Sequence, residues 1–154
     1  MKKVAFHNLG CKVNTYEIEL MQQNFAKNGF EIVAFSEKAD VYIINTCTVT
    51  NIADRKSRQM LHKAKANNPN AVVVAVGCYV ETDPEGAKAD ESIDIIVGNS
   101  EKKDILKIVC DYLDINDYGC IDYEMESLSS HTRAYIKIQD GCNQFCSYCL
   151  IPSQ

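Results

Sequence analysis

Short apolar runs alternate with helix-like stretches along most of this chain, and this alternation restricts the possible folds more than any other feature. Residues 41–44 and 71–76 are uninterrupted apolar runs, as in strands that are buried on both faces of a parallel sheet. Three more strands are predicted at 4–9, 32–35 and 93–97, and helices between them at 14–29, 51–67, 84–89 and 100–113. The pattern is typical of an α/β fold with an open, doubly wound parallel sheet.

Three helix ends are predicted from residues that favour caps. Asn14, followed three residues later by Glu17, fits an Asn-led variant of the capping box. Gly29 suits the C-terminal cap of the same helix. Ser100 is predicted to cap the last helix.

The alternation stops in an acidic segment at residues 114–130, which ends in serines and is interpreted as an edge segment leading into a linker. Residues 133–139 then alternate as a strand does and lead into a cysteine-rich loop. We therefore predict a first domain at residues 1–128 and the beginning of a second, incomplete domain at 129–154.

The chain has 154 residues, eight of them cysteines, and a formal net charge of −5. No long apolar run resembles a membrane span, and the N-terminus lacks the pattern of a signal peptide. We expect a cytoplasmic protein, in which cysteines stay reduced and serve as metal or cluster ligands rather than disulfides. Basic residues outnumber acidic ones in the first 66 residues, which permits a basic working surface on an acidic protein.

Cys11, Cys47 and Cys78 each come just after a predicted strand. Carboxyl ends of parallel strands meet at the edge where such sheets bind ligands, so these thiols are expected to converge. Gly10 and Gly77 precede two of them, and glycine lets the backbone approach a bulky inorganic group. Three converging thiolates indicate a metal or cluster site. Three buried structural cysteines are the alternative.

Cys142, Cys146 and Cys149 form a C-x3-C-x2-C motif near the end of the chain. Three thiolates so close in one loop suit an iron–sulfur cluster in which one iron has no cysteine ligand and is free to take part in chemistry. Structural zinc is the rival interpretation, but it needs a fourth ligand, and His131 would lie at the far end of the preceding strand.

Other residues near these motifs have simpler explanations. Cys110 lies on the apolar face of a predicted helix, so core packing is expected, and Cys120 is given no role. Asn14 and Asn45 either orient their neighbouring cysteines by hydrogen bonds or cap a helix or turn.

Four motifs, in order along the whole chain, resemble those of the methylthiotransferases of the radical S-adenosylmethionine superfamily. Residues 9–17 (LGCKVNTYE) resemble the opening motif, and residues 45–50 (NTCTVT) and 76–78 (VGC) the second and third. Residues 133–152, which include DGCNQFCSYC, resemble the start of the radical barrel. The Lys-Val-Asn run at 12–14 is most similar to the branch that modifies threonylcarbamoyladenosine in tRNA.

The resemblance implies S-adenosylmethionine as a cofactor and two [4Fe–4S] clusters. Three cysteines would hold each cluster: Cys11, Cys47 and Cys78 the auxiliary one, and Cys142, Cys146 and Cys149 the radical one. Tyr148 would lie near the adenine of S-adenosylmethionine, with packing beneath the loop as the alternative. The implied reaction adds a methylthio group to C2 of an adenine in tRNA. The implied partners are tRNA and an electron donor such as flavodoxin or ferredoxin.

Basic residues on the helix after Cys47 are candidates for contacts with tRNA phosphates, with a solvated helix face as the alternative: Arg55, Lys56, Arg58, Lys63 and Lys65.

Family members continue into a full barrel and a C-terminal RNA-binding domain, so the resemblance implies an N-terminal part that is inactive by itself. A non-catalytic iron–sulfur or zinc module is the alternative function. The isopentenyladenosine and ribosomal-protein branches are the alternative substrate classes.

Overall fold

The computed structural model describes residues 1–10, 12–47, 51–119, 121, 138–139 and 142–149. Within these residues, five strands and five α-helices follow one another, with a 3-10 helix between β5 and α5. Their bounds are β1 Lys3–Asn8, α1 Lys12–Lys27, β2 Glu31–Val33, β3 Val41–Thr46, α2 Asn51–Asn67, β4 Val72–Gly77, α3 Cys78–Thr82, α4 Pro84–Ala89, β5 Ile95–Val97, the 3-10 helix Asn99–Asp104 and α5 Ile105–Tyr112.

All five strands are parallel and belong to one open sheet of order β2-β1-β3-β4-β5. This confirms the prediction of an α/β fold built on a parallel sheet. From β1 the chain first adds β2 on one side and then crosses to add β3 on the other. In sheets of this order a crevice opens at the carboxyl ends of the strands where the direction reverses, here between β1 and β3.

Helices cover the sheet on both faces, which explains the uninterrupted apolar runs of β3 and β4. One core contains Val4 and Ile43 of the sheet with Phe25 of α1 and Leu106 of α5. The other contains Ile44, Leu61 of α2 and side chains of α3. Every residue of β3 and β4 is buried. Full burial of each Val or Ile side chain stabilises the fold by about 1.5–3 kcal/mol.

The start of α1 differs from the prediction. The helix begins at Lys12, so Asn14 lies within it and is not its cap. The turn that leads from β1 to α1 is held by Asn8, whose Oδ1 accepts a hydrogen bond from Gly10 N at 3.0 Å. Asn8 Nδ2 also donates to Thr15 Oγ1 at 3.0 Å. The prediction for the other end is confirmed, since Gly29 follows the helix with a φ of +81°.

The segment after β5 also differs from the prediction. Ser100 does not cap an α-helix, because a 3-10 helix begins at Asn99 and α5 only at Ile105. Glu81 Oε1 accepts a hydrogen bond from Asn99 N at 2.7 Å and so holds the chain one residue before the predicted cap. Helix α3, which directly follows β4, was not predicted.

Cys110 is fully buried in the core beneath α5, as predicted, and burial raises the pKa of its thiol. Leu113, Ile115, Tyr118 and Ile121 pack against the same core, so the described beginning of the acidic segment belongs to the first domain.

The predicted strand at 133–139 lies mostly outside the described residues, and the domain boundary near 128 stays a prediction. Among the described helices, none has both the length and the apolar character needed to cross a membrane.

Candidate functional site at the carboxyl edge of the sheet

Two of the predicted ligands lie at the carboxyl ends of neighbouring strands. Cys47 directly follows β3, and Cys78 is the first residue of α3 directly after β4. The two strands are paired in register, with Thr46 opposite Gly77. Both thiols are half-buried. Cys11 lies outside the described residues. The strand before it, β1, is paired with β3 on the side opposite to β4.

Glycine is required at this edge by the close approach of the backbone to neighbouring groups. Gly77 has a φ of +99°, and a Cβ there would lie 2.7 Å from Asn45 Oδ1 and 2.9 Å from Thr46 O. A Cβ on Gly10 would lie 1.9 Å from Asn14 Nδ2. Glycine alone tolerates such contacts. A side chain therefore has no room at Gly10, which precedes Cys11, or at Gly77, which precedes Cys78.

Asn45 lies between these two glycine turns and is fully buried. Its Nδ2 donates to Asn14 O at 3.4 Å, which joins the end of β3 to the first turns of α1. Its Oδ1 is buried without a hydrogen-bond partner among the described residues. A buried acceptor without a partner costs about 1–3 kcal/mol in a closed core.

Two buried hydroxyl groups complete the edge. Thr46 Oγ1 donates to Val76 O at 2.6 Å and accepts from Tyr79 N at 3.2 Å. Ser57 Oγ accepts from Cys47 N at 3.3 Å. Both side chains are fully buried. Sequence reasoning missed the roles of both residues, although Ser57 is a polar residue at a helical position that repeats with the buried Leu61 and Ala64, and this was the available signal.

The C-x3-C-x2-C loop is described from Cys142 to Cys149. Cys146 is exposed, while Cys142 and Cys149 are half-buried, and Cys149 N donates to Cys146 O at 3.0 Å. Tyr148 is 91% exposed, which does not fit the alternative of packing beneath the loop. Across the part of the chain that is described, no three His, Cys, Asp or Glu side chains form a group that could hold a metal ion. The ligand roles of both cysteine sets stay predictions, and Cys120 and His131 lie outside the described residues.

The basic residues of α2 divide into paired and exposed ones. Lys65 Nζ contacts Asp94 Oδ2 at 2.7 Å and donates to Ala71 O, so it joins α2 to the start of β5. Arg58 pairs with Asp54 at 2.8 Å. Three others are exposed and have no ion pair with any described residue: Arg55, Lys56 and Lys63. These three are the better candidates for an anionic partner.

An open parallel sheet with cysteines at the carboxyl ends of the adjacent strands β3 and β4 defines an α/β protein with a candidate thiolate site beside its switch point. The chain belongs to the family described as "Uncharacterized protein family UPF0004", whose family model matches residues 3–98. That match covers all five strands of the sheet and includes Cys11, Cys47 and Cys78 in the sequence.

The relatives are methylthiotransferases, which confirms the resemblance seen in the motifs. Over 97% of its length the chain is 42% identical to the threonylcarbamoyladenosine tRNA methylthiotransferase MtaB of Aquifex aeolicus. It is also 42% identical, over 99% of its length, to the Bacillus subtilis protein of that name. The identity is 28% to the tRNA-2-methylthio-N(6)-dimethylallyladenosine synthase of Ehrlichia canis. The chain spans only 39%, 36% and 38% of the lengths of these relatives.

Among solved structures, the adenylate cyclase of Rhodopirellula baltica matches with a TM-score of 0.47 and 10% identity. The match covers 73% of this chain and 97% of the cyclase chain. A likeness at this level supports no inference about function.

Proposed function

We propose that this chain is the N-terminal part of a tRNA methylthiotransferase that acts at C2 of N6-threonylcarbamoyladenosine, next to the anticodon. The higher identity to the two proteins named for that substrate than to the dimethylallyladenosine synthase supports this choice. The Lys-Val-Asn run at residues 12–14 points to the same branch.

The observation that carries the proposal is the position of Cys47 and Cys78 at the ends of adjacent strands, next to the glycine turn at Gly77. With Cys11 they would hold a [4Fe–4S] cluster, because thiolates are the usual ligands of iron–sulfur clusters. The residues fit such a group, because the turn at Gly77 has no room for a side chain and the backbone can therefore approach a bulky ligand.

Cys142, Cys146 and Cys149 would hold a second [4Fe–4S] cluster, and Tyr148 would contact S-adenosylmethionine through its exposed ring. When bound, the clusters and S-adenosylmethionine would supply the radical chemistry and the sulfur, with electrons from a donor such as flavodoxin or ferredoxin. The chain supplies ligation, shielding and alignment. A tRNA substrate and reduced thiols both favour the cytoplasm as the compartment.

Anaerobic reconstitution with iron and sulfide tests the first site. To isolate it, Cys142, Cys146 and Cys149 are replaced by Ala. This variant is expected to bind about four iron atoms, as one [4Fe–4S] cluster requires, and to lose them when Cys47 or Cys78 is also replaced by Ala. The matched control is Cys110→Ala, which removes a fully buried thiol from the core beneath α5. Binding of one zinc ion and no iron would contradict the cluster and favour a zinc module.

A chimera tests the substrate. Residues 1–154 of this chain replace the matching region of the Bacillus subtilis relative, in cells that lack that relative. Mass spectrometry of digested tRNA is expected to show the methylthio derivative of threonylcarbamoyladenosine. A chimera with Cys47→Ala and Cys78→Ala is the negative control. Methylthiolation of a different adenosine by the chimera would contradict the proposed substrate.

A further inference from the structure

The backbone of Cys47 is held by a hydroxyl group from another element. Ser57 lies in the second turn of α2, fully buried against the sheet. Its Oγ accepts the amide proton of Cys47 at 3.3 Å. Its own proton is shared between Ala53 O at 2.9 Å and Cys47 O at 3.2 Å. One side chain thus fixes both polar groups of the Cys47 backbone to a helix.

The backbone around Cys78 is held in a similar way from the neighbouring strand. Thr46 Oγ1 donates to Val76 O at 2.6 Å and accepts from Tyr79 N at 3.2 Å. These two partners flank Gly77 and Cys78, so a single hydroxyl spans the whole turn. Thr46 precedes Cys47 in the chain, so the segment that carries one cysteine also holds the turn that carries the other.

We propose that Ser57 and Thr46 are positioning residues that fix the directions in which the Cys47 and Cys78 thiolates leave the sheet edge. The inference rests on the proposed cluster site and deepens it. Groups that orient metal ligands typically contribute 10–100-fold to metal affinity, because ligands held in place need no rearrangement when the metal binds. A purely structural role, in which the hydroxyls only stabilise the fold, is the alternative.

The test compares substitutions that differ in the hydroxyl alone. Thr46→Val keeps the shape of the side chain and removes its hydroxyl, whereas Thr46→Ser keeps the hydroxyl. Ser57→Ala removes the other hydroxyl. The control, Ser92→Ala, removes a hydroxyl that donates to Asp90 Oδ1 at 2.6 Å, at the opposite edge of the sheet, before β5. All are made in the variant that lacks the three loop cysteines.

Three quantities are measured: iron bound after reconstitution, the rate of iron loss to a chelator, and the thermal midpoint of the iron-free protein. We expect Thr46→Val and Ser57→Ala to lose iron about 10–100-fold faster than the parent at a temperature where all variants are folded. Thr46→Ser and Ser92→Ala are expected to stay close to the parent. Because the two hydroxyls act on different cysteines, Ser57→Ala decides the question alone if Thr46→Val does not fold.

Equal rates of iron loss from Thr46→Val, Thr46→Ser and the parent would overturn the inference while leaving the cluster site intact. Rates that follow the thermal midpoint, so that an equally destabilised Ser92→Ala loses iron as fast, would overturn it in favour of the structural role. A parent that binds no iron would overturn the proposed cluster site itself, and this inference with it.

Discussion

At the scale of single residues, Gly77 shows how closely the site is packed. Gly77→Ala places a Cβ 2.7 Å from Asn45 Oδ1 at a φ of +99°. Gly29→Ala is the comparison for an open site, because its φ is +81° and its added Cβ has nothing within 4 Å. Backbone strain at a positive φ costs the Gly29 variant about 1–2 kcal/mol. We expect the Gly77 variant to lose about 1–3 kcal/mol more than the Gly29 variant in urea unfolding, because its Cβ is overpacked and because its ψ of −152° lies in a region essentially restricted to glycine. Equal losses in the two variants would show that the contact with Asn45 is relieved without cost.

His7 makes the stability of the domain depend on pH. Burial, and to a smaller extent the charge of Lys63, lower the pKa of His7 below its ordinary value of 6.5. The unfolded chain therefore binds this proton more readily than the folded one, and protonation favours unfolding. The folded state therefore keeps its full stability above pH 6.5 and loses stability as the pH falls from there through the pKa of His7 in the folded protein.

His7→Phe is expected to remove this loss while keeping the ring contact with Phe35, whose centroid lies 4.7 Å from that of His7. The measurement is the free energy of unfolding in urea between about pH 7.5 and pH 5, where the ordinary pKa of His is crossed. His62→Gln is the comparison, because it removes the exposed imidazole that lies 3.1 Å from Asp90 Oδ2 and leaves His7 in place. If the variant and the wild type lose stability equally over this range, another group is responsible.

The sequence predicts the site residues unevenly, for a physical reason. Cys47 and Cys78 can be placed because each follows an apolar run that could only be a buried strand, and parallel strands end at a common edge. Ser57 cannot be placed in the same way. Its contact with Cys47 joins residues ten positions apart and depends on how α2 packs on the sheet. Local patterns do not carry that information.

At the scale of elements, one ion pair links the two helical segments beside the edge. Lys102 Nζ in the 3-10 helix lies 2.7 Å from Glu17 Oε2 in α1, with side chains only 10% and 13% exposed. Lys102→Met leaves the Glu17 carboxylate poorly solvated, and a lost hydrogen bond to a charged group costs about 1.5–3 kcal/mol. We expect a loss of this size in the free energy of unfolding.

Arg58→Met provides the comparison for that pair. Arg58 and Asp54 are also 2.8 Å apart, but the Arg58 side chain is 48% exposed. Exposed pairs in a helix contribute only about 0.3–0.5 kcal/mol. The exposed pair should also weaken with added salt much more than the Lys102 pair. Similar losses at the two sites would mean that water screens both pairs equally.

The elements themselves were predictable to the extent that their signals are local. Residues 51–67 and 84–89 are helices with the predicted bounds, since capping and periodicity act within a few residues. Helix α3 has five residues and is too short to show a period. The start of α1 was predicted wrongly because Asn14 was expected to cap the helix. In the structure, Asn8, four residues before the helix, holds the preceding turn through its hydrogen bonds with Gly10 and Thr15.

At the scale of the whole molecule, exposed lysines lie on both faces of the sheet. Helix α2 covers one face and exposes Lys56 and Lys63, two turns apart on the same side of the helix. Helix α5 and the 3-10 helix cover the other face and expose Lys103 and Lys107. The chain as a whole is acidic, with a net charge of −5. Any attraction for RNA must therefore be local to one surface rather than a result of total charge.

Salt dependence separates the two surfaces. Each phosphate contact that is lost lowers the slope of log affinity against log salt by about 0.7–0.9. Lys56→Gln with Lys63→Gln is expected to reduce the slope for labelled tRNA by about 1.5, measured by fluorescence anisotropy. Lys103→Gln with Lys107→Gln changes the net charge by the same amount and is expected to leave the slope unchanged. Equal reductions in both variants would show that RNA responds to net charge alone, and the α2 surface would then have no special role.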